Sequence, residues 1–366
     1  MHSPLRTIAL KIHLYLGLTA GLVIMVLCLS AACLVFEQEI TRALHPERFA
    51  VHGVGRSVPL QVVLDSARAA APTANIGSLL VSNDSTRPWE ANAGPAGRIL
   101  IDPYTGHVIA VAPFRLPFFQ KALEIHRWLM ASDLGEQITG AATLMFVTLL
   151  LAGLILWWPR TKGAFKARIN PFAVFSKHGG GRRKLHDLHV ALGIWCWPLL
   201  LFMALTGLPE AYDWGSKALY FFTASPHAAS PPSSSGDSTM ATIPLDSLMK
   251  LGWATFPDAR LWSARAGGRG NGALAVASIP GDQPSERKSD VAYFDRHTGA
   301  LLRVDRWADL PIGARARRMI EPVHSGTGWG MVSKVLFFLA TLFGASFPVT
   351  GFLMYRASLR ATGVEG

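Results

Sequence analysis

Four stretches of this 366-residue chain stay apolar long enough to cross a bilayer: about 13–36, 138–158, 188–208 and 334–355. A membrane-spanning helix needs about 20 such residues. None of the four carries Lys, Arg, Asp or Glu in its middle, where burying a charge is costly. The first is expected as a permanent span rather than a cleaved leader, since it is too long and no small-residue cleavage site clearly ends it. Between the spans the pattern shortens. Pro59–Ala71 has helical spacing, and Ile76–Ser82 and Arg98–Val111 read as strands, with a hairpin turn at Asp102-Pro-Tyr-Thr-Gly106. Further on, Pro244–Trp253 reads as a helix and 260–304 as strands with turns such as Gly267–Gly272. The Ser- and Pro-rich tract 225–240 reads as a flexible linker.

The pattern repeats. His189-Val-Ala-Leu-Gly193 follows His13-Leu-Tyr-Leu-Gly17 by 176 residues, and at the same offset Leu205-Thr206-Gly207 falls on Leu29-Ser30-Ala31. His324 follows His126 by 198 residues; that offset places Ala340-Thr341-Leu342 on Ala142-Thr143-Leu144 and Gly351 on Gly153. Asp295-Arg-His-Thr-Gly299 resembles Asp102-Pro-Tyr-Thr-Gly106. The unit is helix, external domain, helix, used twice.

Charge placement sets the expected orientation. Residues 159–188 carry Arg160, Lys162, Lys166, Arg168, Lys177, Arg182, Arg183 and Lys184 against Asp187 alone. Short loops rich in Lys and Arg stay cytoplasmic. Arg6, Lys11, Arg356 and Arg360 agree, placing both termini inside a bacterial inner (plasma) membrane and both long segments outside. Two copies with one orientation are parallel repeats about an axis along the membrane normal. The expected fold is therefore an α-helical membrane protein with four transmembrane helices, as two parallel helix–domain–helix repeats with two periplasmic α+β domains. Its parts are the N-terminus and first span (1–36), external domain 1 (37–125), an interfacial helix and second span (126–158), a basic cytoplasmic loop (159–187), the third span (188–208), external domain 2 (209–323), an interfacial segment and fourth span (324–355), and a cytoplasmic tail (356–366). The net charge of +11 is mostly a topology signal, and nucleic-acid binding is not expected. Cys28, Cys33 and Cys196 sit in apolar runs without a CxxC pair, so they read as small buried hydrophobes.

This order of motifs resembles the PepSY-associated transmembrane family. The marks are His-x-x-x-Gly opening the first and third spans, a Ser/Thr–small pair later in them, a His ahead of the second and fourth spans, and paired external domains around an Asp-x-x-Thr-Gly turn. At Ala31 the chain departs, reading Ser-Ala where the family has Thr-Gly. The resemblance covers nearly the whole chain and implies PepSY-like external domains. The family includes siderophore-iron reductases that hold two haems.

Of twelve histidines, His13, His126, His189 and His324 obey the repeat. Symmetry pairs His13 with His189 and His126 with His324, and two imidazoles around a flat macrocycle is bis-His haem ligation. The competing reading for the first pair is a histidine capping a helix at the interface. Gly17 and Gly193 lie four residues after their histidines, on the same helix face, and would let a ring approach; a small-residue helix contact through Gly17 and Gly21 is the alternative. His126 precedes the second apolar run by twelve residues, so Phe118–Met130 is expected to lie in the interface, with a break at Ser132, Asp133 and Gly135. Gly326, Gly328 and Gly330 correspond after His324. His186 shares a face with His189 and could replace it, bond a propionate or sit among the basic residues. Arg127 and Arg318, with neighbouring basic residues, suit carboxylate groups such as propionates, or lipid head groups.

No dinucleotide fingerprint, P-loop, zinc-protease or hydrolase motif is present. The reading is a haem b protein with two haems, passing electrons from a cytoplasmic reductase or membrane quinol; the resemblance implies a ferric siderophore as periplasmic acceptor. The alternatives are a membrane-anchored binding or regulatory module, or a haem carrier serving a protein partner.

Overall fold

The computed structural model describes residues 4–159, 161–170, 181–235, 240–265, 272–280 and 286–361. The helices are α1 (Pro4–Val35), α2 (Glu37–Leu44), α3 (Leu60–Ala70), α4 (Pro117–Trp128), α5 (Ser132–Trp157), α6 (Lys162–Ile169), α7 (Gly181–Ala211), α8 (Asp213–Phe222), α9 (Leu245–Thr255), α10 (Ile312–His324) and α11 (Met331–Ala361). The strands are β1 (Ser78–Ser82), β2 (Trp89–Asn92), β3 (Arg98–Ile101), β4 (Val108–Ala112), β5 (Ala259–Arg265), β6 (Leu274–Pro280), β7 (Asp290–Phe294) and β8 (Leu301–Asp305). They form two compact units, one built from Met1–Glu37, Pro117–Leu219 and Ile320–Gly366, the other from Gln38–Leu116 and Tyr220–Met319.

In the first unit α1, α5, α7 and α11 are each long and apolar enough to span a membrane. Helix α1 packs on α5 and α11, and α7 packs on the same two. Each helix outruns its apolar stretch. Helix α1 begins at Pro4 and α7 at Gly181, so His13 and His189 lie about two turns inside their helices rather than at the ends. Intrahelical hydrogen bonds can continue through polar sequence beyond the apolar core, which explains why hydropathy underestimates length. Hydroxyls in these helices donate back to their own carbonyls, as Ser30 Oγ does to Val26 and Thr206 Oγ1 to Phe202, which satisfies those donors within the helix.

The hinge between α4 and α5 is built from Leu129, Met130 and Ser132, all with positive φ. Gly135 closes it. A Cβ there would lie 1.6 Å from the Trp128 carbonyl oxygen, so only glycine permits the approach. The break falls where Ser132, Asp133 and Gly135 signalled it. In the second half, Gly326 (φ +74°) and Gly330 (φ +82°) bracket a short 3-10 turn, Thr327–Trp329, between α10 and α11.

The second unit departs most from expectation. Instead of two separate α+β domains, the two external segments share one antiparallel eight-stranded sheet in the order β4-β3-β2-β1-β5-β6-β7-β8. The halves join through β1 and β5, with Leu79 opposite Ala264 and Leu80 opposite Ser263. Each half contributes one helix and four strands. Val63, Leu64 and Ala67 of α3 and Leu248 and Met249 of α9 share a core with Leu79, Ala91 and Val276 of the sheet. Pairing β1 with β5 removes an edge from each half-sheet, which the hydropathy of either strand alone does not reveal. Strand β2 was not anticipated. Arg98–Val111, expected as one strand stretch, is the hairpin β3–β4 around the foreseen turn.

That turn is a staple. Asp102 is buried, and its carboxylate accepts from the backbone N–H groups of His52, Gly53, Tyr104 and Thr105. Asp295 does the same in the second half, accepting from His297 N–H, Thr298 N–H and both the N–H and hydroxyl of Ser235. The tract expected as a free linker is therefore pinned: Ser235 bonds Asp295, and Ser233 bridges to Gly272. Residues 236–239 of that tract, the 266–271 turn region, and Arg160, Lys177 and Gly179–Gly180 of the basic loop lie outside the described residues.

Candidate functional site

Inside the helical unit the four repeat histidines meet in two pairs. The His13 and His189 ring centroids are 6.4 Å apart with their planes at 82°. The His126 and His324 centroids are 6.2 Å apart with their planes at 52°. A metal held by two imidazole nitrogens, each about 2 Å away, sets ring centroids about 6 Å apart. Both separations fit one metal shared between two rings.

The hydrogen bonds orient the rings. His13 Nδ1 lies 3.1 Å from the Leu149 carbonyl and His126 Nδ1 3.0 Å from the Leu27 carbonyl. A carbonyl only accepts, so both Nδ1 atoms carry the proton. His189 Nδ1 lies 2.7 Å from Thr350 Oγ1, and His324 Nδ1 lies 3.1 Å from Thr206 Oγ1. Each of these threonines already donates its hydroxyl proton to its own helix, Thr350 to Ser346 and Thr206 to Phe202. Each can therefore accept from a histidine Nδ1–H. In that arrangement all four rings carry the proton on Nδ1 and present the Nε2 lone pair as the ligand atom. A carbonyl or hydroxyl on the second nitrogen is the usual support of a metal-binding histidine.

His126 and His324 lie on α4 and α10, outside the four spans. Burial pushes the His126 pKa down to about 4, and the His324 ring opposite pushes the same way. Burial also lowers His324, against the Met203 carbonyl and Glu210, which raise it. Both are neutral at pH 7, so no proton has to leave before a metal binds.

The glycines separate into two kinds. Gly21 packs on Pro348, and a Cβ would approach that side chain to 3.1 Å, so it serves a helix contact. Gly193 has no atom within 4 Å of where its Cβ would be, and at Gly17 the nearest is Leu149 Cδ2 at 3.9 Å. Protein packing does not require glycine at either position. Two glycines that the sequence reading paired only as repeat marks turn out to touch the rings: Gly153 comes within 3.3 Å of His13 Cε1, and Gly207 within 3.4 Å of His324 Cε1, measured from an added Cβ. Ser30, Thr206 and Thr350 were likewise missed as ring partners. Ser30 and Thr206 stood in the repeat as a Ser/Thr–small pair, which was the available signal.

The other candidates have contacts of their own. The His186 side chain is 63 % exposed, with Nδ1 3.4 Å from Asp187 Oδ1. Arg127 stacks on Trp128 at 4.8 Å, as a residue at a lipid head-group boundary would. Arg318 donates to the Ser289 carbonyl at 3.0 Å, so that guanidinium nitrogen is committed to the sheet unit. Among the described residues no group of three or more His, Cys, Asp or Glu forms a metal site; each pair offers two imidazoles. Cys28 and Cys196 are buried among apolar side chains as expected, whereas Cys33 is exposed.

Comparison with known families fits the same frame. The model for the PepSY-associated TM region matches residues 10–357. The chain belongs to that family. The match takes in both histidine pairs and the whole sheet unit, so this member of the PepSY-associated family carries the site within its family region. A search of the curated proteins finds no match.

Proposed function

We propose that this PepSY-associated membrane protein is a haem b-dependent reductase that moves electrons across the inner membrane to ferric siderophores, releasing iron as ferrous. The single observation that carries the reading is the pairing of the four duplicated histidines at 6.4 Å and 6.2 Å, each with Nδ1 engaged and Nε2 free. One haem at each pair would supply reversible one-electron chemistry. Leu27 and Ser30, which hold His126, follow His13 by 14 and 17 residues on α1, so the pairs lie about 21–26 Å apart along the helix. That spacing would suit one pair towards each face of a bilayer core about 30 Å thick.

What the residues do follows from their placement. His13 and His189 face one another as the inner pair, near the basic loop that the positive-inside rule puts in the cytoplasm, where a reductase or quinol would deliver electrons. His126 and His324 form the outer pair. His126 and His324 would hold the outer haem between them, and a group held this way would supply electrons to an acceptor that does not bond to the metal. One electron converts one chelated Fe(III) to Fe(II), which its oxygen ligands hold less tightly. The sheet unit, read as a fused pair of PepSY-like modules in the periplasm, would present the docking surface.

The test is spectroscopic. Purified protein should show a split low-spin haem spectrum on dithionite reduction, with two haems per chain. Anaerobic addition of ferrioxamine should reoxidise it and yield ferrous iron in a ferrous-specific chelator. A colourless protein ends the haem reading and leaves a membrane-anchored binding or regulatory module. A haem protein that stays reduced in the presence of the chelate is instead a carrier for another protein.

A further inference from the structure

Each of the four rings lies beside the same kind of dipeptide in the facing helix, yet the set is not uniform. His126 has Ser30-Ala31, His324 has Thr206-Gly207 and His189 has Thr350-Gly351, each with a hydroxyl on Nδ1. His13 has Ala152-Gly153 at the position that the repeat pairs with Thr350-Gly351, and there the acceptor is the Leu149 main-chain carbonyl. The acceptors also differ in redundancy. His126 Nδ1 reaches both Ser30 Oγ at 3.1 Å and the Leu27 carbonyl at 3.0 Å. His189 Nδ1 has Thr350 Oγ1 at 2.7 Å, the shortest of these contacts, and no second acceptor among the described residues.

We infer that Thr350 is the positioning residue of the inner haem site: its hydroxyl sets the tautomer and orientation of His189 and tunes the potential there. The inference rests on the bis-His reading above. Thr350 Oγ1 donates to the Ser346 and Phe347 carbonyls, both at 3.1 Å, so its lone pairs are aimed at the imidazole. Phe347 packs edge-on to the His189 ring at 5.2 Å. An acceptor on Nδ1–H makes Nε2 more basic, which favours ferric over ferrous iron. Removing the acceptor should raise the potential of that site and weaken retention of its haem. Because His13 uses a backbone carbonyl, which no substitution deletes, Thr350 is the side-chain control point of the inner pair.

The experiment is redox titration, followed by visible absorption, of wild-type protein, Thr350→Val and Thr350→Ser, with haem content per chain. Thr350→Val keeps the shape and loses the acceptor; Thr350→Ser keeps the acceptor. The expected result for Thr350→Val is an upward shift of one of the two waves with the other unmoved, or loss of one haem per chain through about 10–100-fold weaker binding. Thr350→Ser should restore both. If Thr350→Val keeps both waves and both haems as in wild type, the inference falls while the bis-His reading stands. Wild-type protein without haem removes the reading itself. Should Thr350→Val fail to insert, Thr350→Ala, which lacks the same acceptor in a smaller side chain, is read by the same criteria.

Discussion

His126 Nδ1 lies 3.1 Å from Ser30 Oγ, although 96 residues separate them in the chain. The same relationship recurs between His324 and Thr206 at the same distance. In both halves a histidine from a short helix, α4 or α10, bonds a hydroxyl of a preceding long apolar helix. A duplicated hydrogen bond of this kind helps orient two rings that face each other.

Pair logic gives the first prediction. His13→Ala and His189→Ala should each lose the same single haem, and the double variant should lose no more than either. Combining His13→Ala with His126→Ala should lose both. Residues that act as one unit are non-additive, and residues at separate sites add. Haem content by pyridine haemochrome decides it; a further drop in the His13→Ala/His189→Ala double variant would break the pairing.

Gly193 has open space where a side chain would go, whereas Gly21 does not. Gly193→Leu should therefore leave the apoprotein's melting temperature within a few degrees of wild type yet cut haem content, because the added chain enters the volume beside His189. Gly21→Leu should destabilise by about 1–3 kcal/mol through its clash with Pro348. Fluorescence melting and haem content on the two variants give opposite patterns; the same pattern in both would place Gly193 among ordinary packing glycines.

At Gly135 a methyl group meets main chain. Gly135→Ala should rebuild the α4–α5 hinge and displace His126, losing the outer haem while the inner pair keeps its own. Residual haem of one per chain, with the inner wave intact in a redox titration, is the expected outcome. Retention of both haems would show that the hinge does not place His126.

Acid should act on the sheet unit through its two aspartate staples. Burial raises the Asp102 pKa, but the N–H groups of Gly53, Tyr104, His52 and Thr105 outweigh it and hold the carboxyl below its usual range. The hydroxyl and N–H of Ser235, with the turn N–H groups, hold Asp295 lower still. A carboxyl depressed in the folded state stabilises above its unfolded pKa, and that stability is lost as the pH falls through the folded value. Melting temperature should thus stay flat from pH 7 to about 5 and fall below about pH 4. Asp102→Asn should cost about 1–3 kcal/mol at pH 7 by leaving buried N–H groups without acceptors, and should flatten the acid limb. An unchanged acid limb in Asp102→Asn, followed by intrinsic fluorescence, would remove the staple from the account.

Much of this architecture was legible in the chain. Four apolar runs announced four spanning helices, because a bilayer imposes a length that any local window can read. The duplicated histidines stood out because both halves keep them at matching positions. The Asp-x-x-Thr-Gly turns were readable for the same local reason: the carboxylate bonds backbone two and three residues away. Beyond the histidine pairs that symmetry suggests, most of what joins distant segments lay out of reach. The contact of Arg318 with the Ser289 carbonyl carried no mark in the sequence. Strand β1 carried no mark of β5, whose pairing fuses two expected domains into one sheet. The sequence alone marked four helices of membrane length and the four duplicated histidines. Only the tertiary structure decided that His13 faces His189, that Thr350 holds the latter, and that Gly193 borders open space, because those relations depend on helix packing across the bundle, which no short stretch of sequence encodes.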